Sequence, residues 1–186
     1  MGRLVGVRLA FRRRRLERGQ GQAGGLSGQQ AREGVQLGAE TAGGDELRHE
    51  EGVGEGIRAS GVARSEIFLT TKLWNSDQGY DATLKAFDAS LKRLGTDYVD
   101  LYLIHWPAPK RDQYVATWKA FIQLQKEGRA RSIGVSNFYP EHLQRLIDET
   151  GVTPVINQIE LHPDFPQKEA RAYHDKHRIV TQSWSP

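Results

Sequence analysis

Two strand-like apolar runs, Ile67 to Thr71 and Val99 to Ile104, each lead into an ionisable side chain, Lys72 and His105. Residues at the carboxyl ends of strands line the active site in a barrel of alternating strands and helices. Two ionisable groups so placed point to part of an enzyme site. Each also has a plainer reading: a lysine after a strand can be a solvated end group, and a histidine after an apolar strand can be a buried, hydrogen-bonded structural residue.

The elements that must hold these residues begin near residue 50 and alternate regularly. Glu50 to Ser60 reads as a helix ended by Gly61, and the strand Ile67 to Thr71 follows. Thr83 to Leu94 places Leu84, Phe87, Leu91 and Leu94 on one helical face and stops at Gly95, before a strand Tyr98 to Ile104. Trp118, Phe121 and Ile122 mark a third helix, with both aromatics read as helix core; Arg131 to Val135 is the next strand. Pro140 opens a helix carrying Leu143, Leu146 and Ile147 and stopped by Gly151. Val155 to Leu161 is a strand, Gln167 to His177 a helix and Ile179 to Trp184 a last strand. Strict alternation favours a parallel sheet with helices outside it, and both a barrel and a doubly wound sheet fit. About five βα units are present, whereas a closed barrel needs eight strands and typically about 250 residues.

Composition bounds the rest. At 186 residues and 38% apolar content the chain can bury one real core. No apolar run approaches the roughly 20 residues a bilayer needs, and no secretory h-region follows the N-terminal arginines, so a cytoplasmic protein is expected. With no cysteine and six histidines that lack metal-ligand spacing, neither thiolate nor metal chemistry is expected. The net charge of +3 is unevenly placed: residues 1–49 hold nine arginines against five acids, together with 11 of the 20 glycines. That segment has too little to bury to offset its ordering entropy and reads as a poorly ordered region, 1–49, ahead of a folded domain, 50–186. Within it, Gly19 to Gly24 matches the G-x-G-x-x-G dinucleotide fingerprint, but Arg12 to Arg15 stand where the motif needs an apolar strand. The arginine run reads as a solvated tail, so no nucleic-acid partner and no membrane contact are expected.

Five strand-end segments carry a sharper signal: Thr70-Thr71-Lys72-Leu73-Trp74-Asn75, Leu103-Ile104-His105-Trp106-Pro107, Gly134-Val135-Ser136-Asn137-Phe138, Asn157 to Pro163, and Ser183-Trp184-Ser185-Pro186. Together they resemble the aldo-keto reductases, and Asp97 to Pro107 and Asn157 to Pro163 are most similar to the bacterial diketogluconate reductase branch. The resemblance covers residues 50–186. It implies an incomplete (β/α)₈ TIM barrel and an oxidoreductase that reduces an aldehyde or ketone, a sugar-derived keto acid among them, by hydride transfer from NADPH. It further implies a tyrosine acid whose pKa is lowered by a lysine ammonium, itself held by an aspartate. The lysine matches Lys72, and the histidine that polarises the carbonyl matches His105. Ser136, Asn137 and Gln158 match the nicotinamide carboxamide contacts, and Trp184, with Ser185 beside it, the ring that stacks on nicotinamide. Trp74 and Trp106 would wall a small carbonyl substrate, in a protein expected to be a monomer. Ser136 and Asn137 could also cap the Pro140 helix, and His162 before Pro163 reads as a turn residue.

The departures from the family pattern matter as much. Aligned without gaps, the aspartate position falls on Ala42 and the tyrosine position on Leu47, neither of which can fill the role. The change of texture at His49 and Glu50 suggests, as a hypothesis, an out-of-frame segment before it, and the resemblance ends before the family's basic adenosine-phosphate loop. Little or no turnover is therefore expected. The alternatives are a non-catalytic NADPH-binding or regulatory half-barrel, or a fragment without function.

Overall fold

The computed structural model describes residues 8–11 and 46–184. Where apolar residues recur every three to four positions the chain is helical: α1 (Glu46–Ala59), α2 (Tyr80–Leu94), α3 (Tyr114–Lys126), α4 (Pro140–Thr150) and α5 (Lys168–His177). The runs between them are strands: β2 (Ile67–Leu73), β3 (Val99–Ile104), β4 (Ala130–Ser136), β5 (Ile156–Glu160) and β6 (Val180–Trp184), while β1 (Arg8–Phe11) lies near the N-terminus. Strands β2 to β6 lie side by side in sequence order and pair in parallel, so each of α2 to α5 is a crossover and the five strands with their helices form a half-barrel. The expected α/β architecture is the one observed.

The differences have local causes. Arg8–Phe11 falls in the segment expected to lack order, yet it pairs antiparallel with Ile67 to Thr70. The backbone donors and acceptors on that side of β2 gain partners there. The rest of the segment up to residue 45, including the Gly19 to Gly24 motif and Arg12 to Arg15, lies outside the described residues. Helix α1 starts at Glu46, four residues before the sequence pattern places it. Strand β2 runs on to Leu73, so Lys72 is inside the strand, opposite Leu103, and does not follow it.

Side chains alternate across each strand, so the register assigns every residue to a face. Thr71 donates from its hydroxyl to Glu50 of α1 at 2.7 Å, which places the odd-numbered residues of β2 towards the helices. Leu69 and Leu73 share that outer face with Tyr102, Ile104, Ile133 and Val135 of β3 and β4, and all are buried against Phe87, Trp118, Phe121, Leu124, Leu143 and Leu146 from the helices. Tyr102 is held between Phe87 at 4.7 Å, edge-on, and Phe121 at 4.3 Å, stacked. Each large side chain so buried is worth about 1.5–3 kcal/mol. Trp118 and Phe121 are core, as the periodicity predicts.

The inner face carries Lys72, Leu103, Gly134, Ser136, Gln158, Gln182 and Trp184 in register across β2 to β6. Gly134 is needed because a Cβ there would meet Ile156 Cγ2 at 2.5 Å and the Ile156 carbonyl at 2.8 Å. At the opposite, amino-terminal ends of the strands, buried Asp100 accepts from Arg64 at 2.9 Å, Arg131 at 3.1 Å and the Leu69 N–H at 3.0 Å. Both guanidinium groups also lie 4.0 Å from the Tyr98 ring centroid. Arg64 further donates to the Ile67 and Tyr98 carbonyls, which ties the entry of β2 to that of β3.

Removing Asp100 strands two cations and a buried N–H. Asp100→Ala is expected to cost about 3 kcal/mol, the lower end of the range for breaking a buried ion pair, because Arg131 is partly solvated. Urea denaturation measures it, and a loss below about 1 kcal/mol would show that the cluster is not what joins β2 to β3.

Candidate active site

The carboxyl ends of five parallel strands bring the sequence-predicted residues to one rim of the half-barrel. Lys72 comes from β2, His105, with Trp106, from the residues after β3, Ser136 and Asn137 from the end of β4, Gln158 from β5 and Trp184 from β6. Ser185 lies outside the described residues. A cleft on this rim is lined by Trp106, Asn137, Phe138, Ile159, Phe165 and Trp184. Trp106 and Phe165 are among the few large apolar side chains more than two-fifths exposed, at 42% and 44%.

Asn137 is the junction of the rim. It adopts a left-handed backbone conformation, φ 63°, which costs a non-glycine residue energy but suits asparagine better than most. Its N–H donates to the Gln158 carbonyl at 3.0 Å. Its Nδ2 donates to the His105 carbonyl at 3.0 Å and lies 3.2 Å from Ser136 Oγ, while its Oδ1 accepts from Trp184 Nε1 at 2.9 Å. One residue thus links the ends of β3, β4, β5 and β6. Ser136 Oγ donates to the Gln158 carbonyl at 2.8 Å, and Gln158 Nε2 donates to Gln182 Oε1 at 3.0 Å. Gln158 Oε1 is buried without a hydrogen-bond partner.

The His105 ring lies 5.0 Å from the Trp74 ring and 6.2 Å from the Trp106 ring, so aromatic neighbours on both sides orient it. Its N–H donates to the Leu73 carbonyl at 3.3 Å, which extends the pairing of β2 and β3 to the rim. Lys72 has its pKa lowered from the ordinary 10.5 to about 8 by desolvation. No acid among the described residues forms an ion pair with it. Burial therefore acts on this amine without an opposing charge.

Ser136 and Asn137 do not cap α4. Tyr139 is the residue before the helix, and its N–H donates to His142 Nδ1 at 3.2 Å, a reciprocal use of the first turn that leaves the Ser136 and Asn137 side chains to the rim. His162 sits in a bridge with Phe165, a turn residue as expected. Of the two positions that align with the family's aspartate and tyrosine, Ala42 lies outside the described residues and Leu47 is in the first turn of α1. The sequence reading passed over Gln182 and Gln78. Period-two alternation from Trp184 would have put Gln182 on the same face. Gln78 donates from Nε2 to the Trp106 carbonyl at 2.7 Å, and nothing in the local pattern announces that contact between loops 28 residues apart.

Among the described residues there is no helix long and apolar enough to cross a membrane and no cluster of groups that could hold a metal ion. Over 139 residues the chain is 63% identical to an aldo-keto reductase of Mycolicibacterium smegmatis, covering 75% of this chain and 50% of that protein. It is 59% identical, over the same length and shares, to the methylglyoxal reductase DkgA of Salmonella typhimurium. The chain thus spans about half the length of the curated relatives it matches. Among solved structures, an aldo/keto reductase from Brucella melitensis superposes with a TM-score of 0.72 at 69% identity, over 74% of this chain and 53% of that one. A Gox0644 mutant in complex with NADPH superposes with a TM-score of 0.71 at 58% identity, over 75% and 50%. The family model described as "Aldo/keto reductase family" matches residues 46–186, three-quarters of the sequence and the whole of the rim described above, and the chain belongs to that family.

Proposed function

We propose that the rim is the nicotinamide and carbonyl half of an aldo-keto reductase site, for reduction of an aldehyde or ketone with NADPH. The observation that carries this reading is the buried, unpartnered Gln158 Oε1 on the face it shares with Trp184. A carboxamide N–H is the donor this acceptor lacks, and the Trp184 indole, tethered through Nε1 to Asn137, offers a ring for stacking. The residues present therefore fit the nicotinamide end of the cofactor, which Ser136, Asn137, Gln158 and Trp184 would hold. When bound, NADPH supplies a hydride. Lys72 and His105 then act on the carbonyl: the imidazole donates a hydrogen bond to its oxygen, and the lysine ammonium favours negative charge there. Trp74 and Trp106 form apolar walls. A small 2-oxoaldehyde is the substrate class this reading favours, since a relative of this chain is a methylglyoxal reductase.

The tyrosine acid and its aspartate have no counterpart at Leu47 and Ala42, so the same reading includes impaired turnover. A positioned general acid contributes about 10²–10⁴-fold. The second reading, a non-catalytic NADPH-binding half-barrel, is favoured by the same contrast: Gln158 offers a buried acceptor for a carboxamide, while Leu47 stands at the acid position.

NADPH is expected to quench the tryptophan fluorescence of the purified chain saturably. Gln158→Leu should weaken that binding about fivefold, the worth of one hydrogen bond at roughly 1 kcal/mol. Absence of saturable quenching would overturn both readings. With methylglyoxal as substrate, consumption of NADPH followed at its own absorbance should run at least about 10²-fold slower than for a full-length relative. An undiminished rate would refute the impairment, and a rate of zero with intact binding would leave the non-catalytic reading.

Lys72 gives a pH signature. Its folded pKa is about 8, below the unfolded value of 10.5, so between these the unfolded chain binds more protons and stability rises with pH. Lys72→Met should abolish that rise and stabilise the chain at pH 7 by about 1–3 kcal/mol. Denaturation midpoints at pH 7, 9 and 10.5 measure it, and identical pH dependence in the two proteins would show that the lysine is not desolvated.

A further inference from the structure

Behind the rim, on the outer face, lies a polar chain that the carbonyl chemistry does not use. His174 of α5 and Asn157 of β5 are both fully buried, at 0% exposure. Asn157 Nδ2 donates to the Phe138 carbonyl at 2.8 Å and lies 3.0 Å from His174 Nε2; Asn157 Oδ1 accepts from the Phe138 N–H at 3.4 Å. His174 Nδ1 lies 2.9 Å from the Thr181 hydroxyl of β6.

The tautomer follows from counting hydrogens. Asn157 Nδ2 has two donors, one spent on the Phe138 carbonyl, and the other points at His174 Nε2, which must accept. The His174 proton is then on Nδ1, directed at Thr181. Turning the Asn157 amide over would oppose its carbonyl oxygen to the Phe138 carbonyl and its amine to the Phe138 N–H, so Phe138 fixes the amide and the amide fixes the imidazole. Burial also lowers the His174 pKa, against the opposing charge of Asp175, in keeping with a neutral ring.

We propose that His174 is a positioning residue for the cofactor-contacting turn. Through Asn157 it clamps both backbone groups of Phe138, and so holds the neighbouring Asn137 in the left-handed conformation that reaches His105 and Trp184. The reasoning is energetic. A left-handed asparagine persists only where its surroundings over-determine it, and Phe138, its sequence neighbour, is held on one side by a bidentate side chain from β5. Without an acceptor at position 174, one Asn157 N–H is buried unpaired, which favours rotation of that amide away from Phe138. The turn then has one fewer constraint where the strain is stored.

The proposal rests on the nicotinamide reading for its functional consequence but not for its structural one, and the test separates the two. In the ¹⁵N-labelled full chain at neutral pH, long-range ¹H–¹⁵N spectra should show His174 protonated on Nδ1 only. His174→Leu, if cooperatively folded, should shift or broaden the Asn137 side-chain amide and Trp184 indole N–H signals. His174→Gln, whose amide oxygen can accept from Asn157, should restore them. NADPH binding, read as tryptophan quenching, should weaken about fivefold in His174→Leu and recover in His174→Gln. If His174→Leu does not fold, the Nδ1 assignment and a second variant, Asn157→Asp, decide the matter. That carboxylate has no N–H for His174 to accept and should disturb the same two signals. A proton on Nε2, or unchanged Asn137 and Trp184 signals in a folded variant, would overturn the proposal. NADPH failing to bind the unaltered chain would count against the nicotinamide reading alone, since the spectra would still decide the positioning role.

Discussion

The two-faced geometry of a parallel sheet is the constraint on which the rest of this molecule depends. Each strand from β2 to β6 sends alternate residues to the helices and to the concave side. The apolar series Leu69, Leu73, Tyr102, Ile104, Ile133 and Val135 is committed to the helices by its burial. Once that face is chosen, Lys72, Ser136, Gln158, Gln182 and Trp184 have no alternative but the concave side, where Ser136, Gln158 and Gln182 stand level with one another. A one-residue slip of any strand would exchange the two sets and bury a lysine or a glutamine among leucines. The core and the site are consequences of the same parity.

The two ends of the strands spend charge differently. At the amino-terminal ends Asp100 is matched by two guanidinium groups and a backbone N–H, so the buried charge is compensated in full. At the carboxyl ends Lys72 is desolvated with no such compensation, and Gln158 Oε1 is left without a donor. Conservation of order at one end and unmet demand at the other is the division that α/β barrels make between their stability face and their active face. Unsatisfied groups on the rim are what a ligand can satisfy.

Asn137 concentrates the cost of that arrangement. Its positive φ is an expense within the turn, and its three side-chain contacts and one backbone bond are the return. No other described residue joins the ends of four strands through its own groups in this way. Because its side chain is engaged with the His105 backbone carbonyl and the Trp184 indole N–H, the chain after β3 and the end of β6 are tied to the same turn. Strand β6 contributes Trp184 to that rim and Gln182 to the contact with Gln158, while Val180 at its start is 60% exposed.

Much of this was legible in the residues themselves. Period and stop signals located the five helices and five parallel strands to within a few positions, because Gly95, Gly151 and Pro140 punctuate the chain with conformations few other residues tolerate. The strand-end motifs named Lys72, His105, Ser136, Asn137, Gln158 and Trp184, and the sheet carries all six towards the carboxyl ends of its strands. Tertiary structure alone decided what those side chains are bonded to. That Lys72 lies inside β2 and not beyond it, that Asn137 ties the rim instead of capping α4, and that Gln78 supports Trp106 from a distant loop depend on strand pairing and loop packing. Hydrogen bonds of this kind join residues from 17 to 47 positions apart, as with Asn157 and His174 or Asn137 and Trp184, and periodicity carries no record of such distances. Local sequence sets which face a residue occupies; only the packed sheet sets which partners wait there.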